Sequence, residues 1–321
     1  NRYTIRTETV RTLRETDGTR RREIHMSYGT HVTIGICAYN EEANIERSVR
    51  SVYEQKTDGF NIDEVIVVSS GSTDRTDEIV SGLLPEFENL RFLPQDKREG
   101  KNSAINLLLD NKKTQIVILL NADNAFGNEE SLKNLILPFS DPKVGIVGGH
   151  PVPTNGKDSF AGFASHMLWA MHHHVSMVHP KIGELVAFRD IGTRLPLRTQ
   201  SDEDILRMNL ERAGYTGVYA TDAVIRNRGP ETVADFVKQR TRVNIGERYM
   251  KKGYGYDIPT WKSSLLVGAM FGAVKEMGFH PLKMSVTAAM EAYARLKASA
   301  YVMSDKGDMS VWDPVSTTKK L

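Results

Sequence analysis

Residues 115–124 read QIVILLNADN, a run of five aliphatic residues that ends in a corner of amides and one carboxylate. Five consecutive aliphatic side chains are typical of a strand that is buried on both faces of a sheet. In open α/β sheets, ligands bind where the strands end at their carboxyl edge, and Asp123 is placed there. A carboxylate at that position can hold a hard divalent cation, although Asp and Asn are also ordinary turn residues.

The composition is typical of a globular protein and narrows the classes of function. Of the 321 residues, 40% are hydrophobic and 26% are charged, and a formal net charge of +2 gives no reason to expect a nucleic-acid partner. The single cysteine, Cys37, excludes an internal disulfide framework and indicates a reducing compartment. It lies in an apolar run, so we expect a small buried hydrophobic residue rather than a nucleophile. We find no signal peptide and no apolar run of about 18 residues that could span a bilayer.

Strand and helix patterns alternate through the first part of the chain. The strands are predicted at 32–39, 64–68, 90–93 and 116–120, and the helices at 40–55, 76–84 and 102–109. This alternation is typical of a doubly wound parallel sheet. Polar turns after Tyr39, after Val68 and before Asn102 then meet Asp123 at one sheet edge, and we expect a crevice of nucleotide size there.

The sequence lacks the motifs of two common classes of nucleotide-binding protein. No Gly-x-Gly-x-x-Gly follows the first predicted strand, and no Walker-type Gly-Lys-Ser/Thr loop is present. A dinucleotide oxidoreductase and a P-loop protein are therefore disfavoured, and the crevice is expected to hold a nucleotide by other means.

Four short motifs occur along the chain, and their combined order and spacing is specific although each alone is a weak signal. Residues 38–42 read AYNEE, 69–74 read SSGSTD, 100–106 read GKNSAIN and 121–123 read NAD. On these motifs, residues 31–248 resemble a family 2 glycosyltransferase. The resemblance implies an α/β protein of the GT-A fold, in which a Rossmann-like mixed sheet is flanked by helices. It also implies an inverting transfer from a nucleoside-diphosphate sugar of the UDP or GDP type.

The same resemblance implies a donor site and a metal site. The donor-binding residues would be Ala38, Tyr39, Asn40, Glu42, Ser69, Ser70, Lys101, Asn121, Ala122 and Asp123. Asn121 replaces the first acid of the family's Asp-x-Asp motif, which leaves Asp123 as the expected ligand of Mg²⁺ or Mn²⁺. Ser69 and Ser70 replace the paired acids that read the base and ribose in relatives, so the nucleotide is left open.

An acidic cluster precedes a helix pattern that ends at Gly214. Carboxylates in a first helical turn also complement the helix dipole, but the resemblance implies an acidic pair that contains a general base. Counting back from residues 213–215 places the pair on Asp202 and Glu203, and a slip of one residue places it on Glu203 and Asp204. Glu203 belongs to both versions and is the expected base.

Residues 239–243 read QRTRV and resemble the family's Gln-x-x-Arg-Trp motif. The resemblance implies that Gln239, Arg240 and Arg242 lie beside the diphosphate and the acceptor, with Lys101 as a second cation on the diphosphate. Val243 stands where polymer-forming members carry Trp, which disfavours processive polymer synthesis.

The chain divides into three parts. Residues 1–30 are expected to form a β-hairpin or arm. Residues 31–250 would form the catalytic domain, with a nucleotide-binding half at 31–125 and an acceptor half at 126–250. Residues 251–321 would form an amphipathic helical extension, in which 261–303 could contact a membrane peripherally, pack on the domain or form a homo-oligomer.

The expected acceptor is a hydroxyl of a lipid-linked or membrane-associated glycan, and the expected location is cytoplasmic, at the inner face of the cell membrane. A first alternative is transfer to polyprenyl phosphate, which is already ionised and needs no base. A second is a nucleotidyltransferase, which would release pyrophosphate. A third is a degenerate nucleotide-sugar-binding module, because Asn121, Ser69, Ser70 and Val243 depart from the family motifs.

Overall fold

The computed structural model describes residues 29–258, 263–304 and 316–318. The arm predicted at 1–30 lies almost wholly outside the described residues. The strands are β1 (Thr30–Ala38), β2 (Phe60–Ser70), β3 (Leu90–Gln95), β4 (Ile116–Asn121), β5 (Ala125–Phe126), β6 (Val144–Pro153), β7 (Leu185–Arg189) and β8 (Thr216–Asn227). The helices are α1 (Ile45–Tyr53), α2 (Thr76–Leu83), α3 (Lys101–Asn111), α4 (Ser131–Ile136), α5 (Phe160–Val178), α6 (Asp202–Arg212), α7 (Val233–Tyr254), α8 (Ser263–Met277) and α9 (Pro281–Met303).

The strands form one sheet in the order β3-β2-β1-β4-β7-β6-β8-β5. The first four strands of the chain are parallel to one another, as the alternating pattern predicted. The next strand in the sheet, β7, runs antiparallel to both of its neighbours, β4 and β6. The mixed sheet that the resemblance implied is therefore confirmed.

The order of the strands reverses between β1 and β4, which lie side by side. Cys37 near the end of β1 is paired in register with Asn121 at the end of β4, so the two strands stop at the same level. Two loops that leave neighbouring parallel strands in different directions open a crevice between them. The corner at residues 121–124 thus faces the loop that begins at Tyr39.

Hydrophobic side chains cover both faces of the sheet. Alternate residues of β4 such as Ile118 pack on one face, and those such as Val117 pack on the other, where they meet Leu108 of α3. A Cβ atom on Gly35 would lie 1.8 Å from Leu108 Cδ1, so any other residue there would force the Leu108 side chain of α3 to move. This packing fixes the start of α3, and with it Lys101, against the sheet.

The first predicted helix begins later than its pattern indicated. We expected it from residue 40, but α1 starts at Ile45. Asn40 has a φ of 52°, which is a left-handed conformation that a helix cannot contain. The side chains of Asn40 and Glu42 instead accept hydrogen bonds from backbone N–H groups of the loop after β2.

The C-terminal helices pack on the rest of the protein, with α9 along α7 and α8 along α5. Arg240 on α7 donates to both carboxylate oxygens of Glu291 on α9, at 2.7 and 3.1 Å. Burial alone would raise the pKa of Glu291, but the guanidinium groups of Arg240 and Arg295 lower it to about 2. An ion pair this well enclosed joins α9 to α7.

We predict that Arg240 and Glu291 are energetically coupled. Arg240→Met should lower the free energy of unfolding by about 3 kcal/mol, because it leaves a buried carboxylate short of a partner. In a Glu291→Met background, Arg240→Met should lower the free energy of unfolding much less, because no buried carboxylate is then left without its partner. Urea unfolding of the four proteins in this cycle measures the coupling. An equal cost of Arg240→Met in both backgrounds would contradict it.

Candidate active site

The strand ends of β1, β2 and β4 open into a cavity of about 1190 Å³. Helices α5 to α9 form its other walls. Most of the residues that the sequence singled out line it together, namely Ala38, Tyr39, Ser70, Lys101, Asn121, Ala122, Asp123, Asp202, Glu203, Asp204, Gln239, Arg240 and Arg242. Residues from six separate stretches of the sequence are thus brought to one place.

Three predicted donor-binding residues do not line the cavity, and they hold its loops instead. Asn40 accepts a hydrogen bond from the backbone N–H of Thr73 at 2.7 Å. Ser69 is buried, and its hydroxyl lies 2.8 Å from that of Ser72. Glu42 accepts from a backbone N–H of the same loop. Asn40 and Glu42 tie the loop after β1 to the loop after β2, and Ser69 braces the latter loop against the end of β2.

One end of the cavity presents an aromatic ring and a cation. The guanidinium of Arg98 lies 4.1 Å from the ring centre of Tyr39. Ser70 accepts a hydrogen bond from the backbone N–H of Glu99 at 3.1 Å, which holds the segment that carries Arg98. Gly71, with a φ of 66°, allows this close approach because a Cβ atom there would meet the backbone of residues 97 and 98. Arg98 belongs to no motif and was not predicted.

The ammonium group of Lys101 lies between two carboxylates of α6. Its Nζ is 2.7 Å from Asp202 Oδ2 and 3.1 Å from Glu203 Oε1. The resemblance implied a contact between Lys101 and the diphosphate, but in this structure the lysine is placed on the acidic pair. Asp204 makes no contact with Lys101; burial raises its pKa to about 7, and the charges of Lys181, Glu247 and Glu203 also act on it. The structure therefore groups Asp202 with Glu203.

Burial and mutual repulsion set the protonation of this pair. Burial raises the pKa of Asp202 to about 7, and the negative charge of Glu203 acts in the same direction. Burial also acts on Glu203, but Lys101 and the hydrogen bond from Asp202 lower its pKa overall. Both side chains line the cavity, but that of Glu203 is 22% exposed and that of Asp202 only 4%, so Glu203 is the more accessible of the two. The pair can accept one proton near neutral pH.

The corner after β4 carries a carboxylate that sequence reasoning missed. Asn121 and Asn124 each donate a side-chain N–H to Glu184 Oε2, at 2.9 Å. Glu184 directly precedes β7, lines the cavity and has a φ of 52°, which is rare for a residue with a side chain. Residues 183–189 resemble a strand of the family, but the sequence did not place Glu184 at this corner, because the contact depends on how β7 pairs with β4.

The oxygen atoms at this corner fit a hard cation. Asp123 and Glu184 are close enough to Arg242 to oppose the lowering of its pKa by burial. Within the described residues, no cluster of three or more His, Cys, Asp or Glu side chains could hold a metal unaided. Magnesium commonly binds through one or two carboxylates, with the remaining ligands from phosphates and water. The donor set at Asp123 therefore fits Mg²⁺ or Mn²⁺ together with a diphosphate.

The opposite end of the cavity is apolar. Its lining comes from α5, α8 and α9 and includes Leu168, Trp169, Met270, Phe271, Val274 and Met284. Cys37 also lines the cavity and is half-buried, which is more exposed than the fully buried position that we expected. Burial raises the pKa of its thiol to about 12, so it stays protonated and is a poor nucleophile.

Comparison with known proteins agrees with these observations. The sequence profile of Glycosyl transferase family 2 matches residues 33–201, which is more than half of the chain. O-antigen chain rhamnosyltransferase RfbN of Salmonella typhimurium is 26% identical over 216 residues, or 61% of this chain and 66% of that protein. Glycosyltransferase AglE of Haloferax volcanii is 30% identical over 119 residues, or 37% of this chain and 38% of that protein. The chain spans less than two thirds of each.

A solved structure shares the fold. The mannosyltransferase PcManGT from Pyrobaculum calidifontis, in complex with GDP-Man and Mn²⁺, aligns with a TM-score of 0.60 at 22% identity. The alignment covers 86% of this chain and 87% of that chain, and it shows that the architecture is the GT-A fold. The motifs, the sheet topology and the sequence profile agree, and the chain belongs to glycosyltransferase family 2.

Proposed function

We propose that this protein is an inverting, metal-dependent glycosyltransferase. It would move a sugar from a nucleoside diphosphate to a hydroxyl of a lipid-linked or membrane-associated glycan. The main support is that one cavity contains an oxygen-rich corner at Asp123, a proton-accepting pair at Asp202 and Glu203, and an apolar end. The oxygen-rich corner suits the donor diphosphate with its cation, the acidic pair supplies a general base, and the apolar end suits an acceptor that carries a lipid.

The nucleoside would lie at the end of the cavity that carries Tyr39 and Arg98, where a base can stack on an aromatic ring or a guanidinium. Arg242 would contact the diphosphate as a fixed cation. Asp123 would hold the magnesium or manganese ion, which when bound neutralises charge on the leaving diphosphate. The presence of GDP-Man and Mn²⁺ in the PcManGT structure supports this assignment.

Glu203 would take the proton of the acceptor hydroxyl. As the proton leaves, the hydroxyl oxygen attacks the anomeric carbon on the side opposite the leaving diphosphate. The proton is then shared with Asp202, so the raised pKa of the buried member sets the proton affinity of the pair. Lys101 stabilises the pair in its ionised form, since its ammonium lies within 3.1 Å of both carboxylates.

The apolar end supports an acceptor that carries a lipid. Near it, α8 and the turn into α9 expose Phe271 and Phe279, whose side chains are 74% and 73% exposed. No helix among the described residues is long and apolar enough to cross a bilayer. Exposed aromatic side chains on short helices favour contact with a membrane interface, and the exposed Lys275 on α8 could meet anionic lipids. We therefore infer peripheral contact with the inner face of the membrane.

The donor reaction tests the proposed chemistry directly. The protein, incubated with UDP- and GDP-sugars and Mn²⁺, should release nucleoside diphosphate slowly by hydrolysis and faster with a lipid-linked acceptor. Asp123→Ala should lower the rate at least about 100-fold, because the cation loses its protein ligand. The exposed Asp58→Ala serves as the matched control and should keep the wild-type rate. Release of pyrophosphate from a nucleoside triphosphate would indicate a nucleotidyltransferase instead, and no turnover of any donor would indicate a binding module.

We predict that the acidic pair controls the pH dependence. The rate should rise with pH through about 7, because below that value the pair already holds a proton and only a weak base remains. Asp202→Asn should remove this rise and leave a lower rate that is insensitive to pH near 7, since the pKa of Glu203 is lowered. Glu203→Gln should reduce kcat by about 10²- to 10⁴-fold, and Asp204→Asn should reduce it far less.

Profiles of kcat/KM against pH for these variants measure the effect. A rise near pH 7 that persists in Asp202→Asn would contradict the assignment of the pair. A near-normal rate for Glu203→Gln would show that the acceptor arrives already ionised, as polyprenyl phosphate does. That result would overturn the assignment of Glu203 as the general base.

We predict that the two exposed phenylalanines bind a lipid surface. Phe271→Ser combined with Phe279→Ser should weaken binding to vesicles of phosphatidylethanolamine and phosphatidylglycerol more than about tenfold, because each buried aromatic side chain contributes about 1.5–3 kcal/mol. Met177→Ser is the control, since the side chain of Met177 is also exposed, at 60%, but lies on α5. Unchanged vesicle binding together with loss of a dimer in light scattering would assign these residues to self-association.

A further inference from the structure

We infer that Glu184 replaces the carboxylate that Asn121 lacks, by fixing the Asn121 amide and adding its negative charge to the cation site at Asp123. This inference rests on the proposed function, since it concerns the cation that accompanies the donor diphosphate. It assigns a positioning role to a residue that no motif contains.

The pairing of β7 with β4 brings Glu184 to this corner. Leu120 and Leu185 are opposite one another in the antiparallel pair, so the next residue on β4, Asn121, lies beside Glu184. Their side chains are joined by the 2.9 Å hydrogen bond from Asn121 Nδ2 to Glu184 Oε2. A carboxylate from the neighbouring strand is thus within hydrogen-bond reach of the position where relatives carry an acid.

The direction of this hydrogen bond determines what Asn121 can offer to a cation. An amide nitrogen is a donor and does not bind a hard cation, whereas the amide oxygen does. Because the nitrogen of Asn121 is bound to Glu184, its carbonyl oxygen is the atom that remains for a ligand in the cavity. Groups that orient a metal-binding side chain in this way affect metal affinity by about 10- to 100-fold.

The charges explain why an amide and an acid occur together here. An aspartate at position 121 would place a second carboxylate about 2.9 Å from Glu184, and two ionised carboxylates at that distance repel strongly. Asn124 donates to the same oxygen of Glu184, so this oxygen accepts two N–H groups, and an aspartate at position 121 would remove one of them. Positions 121 and 184 therefore carry one negative charge between them, which is on Glu184. The positive charge of Arg242 lies close enough to balance it.

Mn²⁺ binding separates this role from a structural one. Electron paramagnetic resonance of free Mn²⁺ gives the affinity of the protein for the ion in the presence of UDP or GDP, without any turnover. Glu184→Gln keeps an acceptor for the Asn121 amide but removes the charge, and it should weaken Mn²⁺ binding by about 10-fold or more. The combination Asn121→Asp with Glu184→Gln moves the carboxylate to the other position and should restore most of the lost affinity. Glu99→Gln removes a charge next to the cavity without lining it and should leave the affinity unchanged.

Each outcome bears on one of the two proposals. If the wild-type protein fails to bind Mn²⁺ both in the presence of UDP and in the presence of GDP, the proposed metal dependence fails. If the wild type binds it and Glu184→Gln binds it equally well, the inference about Glu184 is overturned while the proposed function stands. Failure of the charge exchange to restore binding in a folded protein also overturns it. Should that double variant not fold, Glu184→Asp is compared with Glu184→Asn, and equal Mn²⁺ affinities would contradict the role of the charge.

Discussion

The position of β4 between a parallel and an antiparallel neighbour is the constraint on which the rest of the site depends. Because β1 runs parallel to β4, both strands end at the same edge, and Tyr39 and Asp123 follow them there. Because β7 runs antiparallel, it begins where β4 ends, which brings Glu184 to the same corner. One buried strand of aliphatic residues thus brings together the ring of Tyr39, the carboxylate of Asp123, which we propose as the metal ligand, and the carboxylate of Glu184.

A second constraint is the burial of the Lys101 ammonium. A charge removed from water requires nearby opposite charges, and here Asp202 and Glu203 supply them from a helix about a hundred residues further along the chain. This contact joins the nucleotide-binding part of the sheet to the helix that carries the acidic pair. Within the pair, burial raises the pKa of Asp202, whereas Lys101 and the hydrogen bond from Asp202 lower the pKa of the more exposed Glu203. The same interaction therefore stabilises the fold and prepares a proton acceptor.

The sequence predicted those features that depend on local pattern. Aliphatic runs predicted the parallel strands, and the ordered motifs predicted which loops meet, because both signals are read from neighbouring residues. Motif membership did not separate the residues that line the cavity from those that hold its loops, as Asn40 shows. Glu184 and the pairing of Arg240 with Glu291 were missed because they depend on strand register and on contacts between distant helices. Such contacts arise from the folded arrangement and leave no periodic signal.

The central claim is that Asp123 at the end of β4 anchors a cation that steadies the departing nucleotide. Anomalous diffraction at the manganese edge, from crystals soaked with Mn²⁺ and a nucleoside diphosphate, tests it most directly. The account predicts a single strong peak within about 2.3 Å of an Asp123 carboxylate oxygen and of the diphosphate oxygens. A bound diphosphate with no anomalous peak between it and Asp123, or with that side chain turned away from the phosphates, would contradict the account.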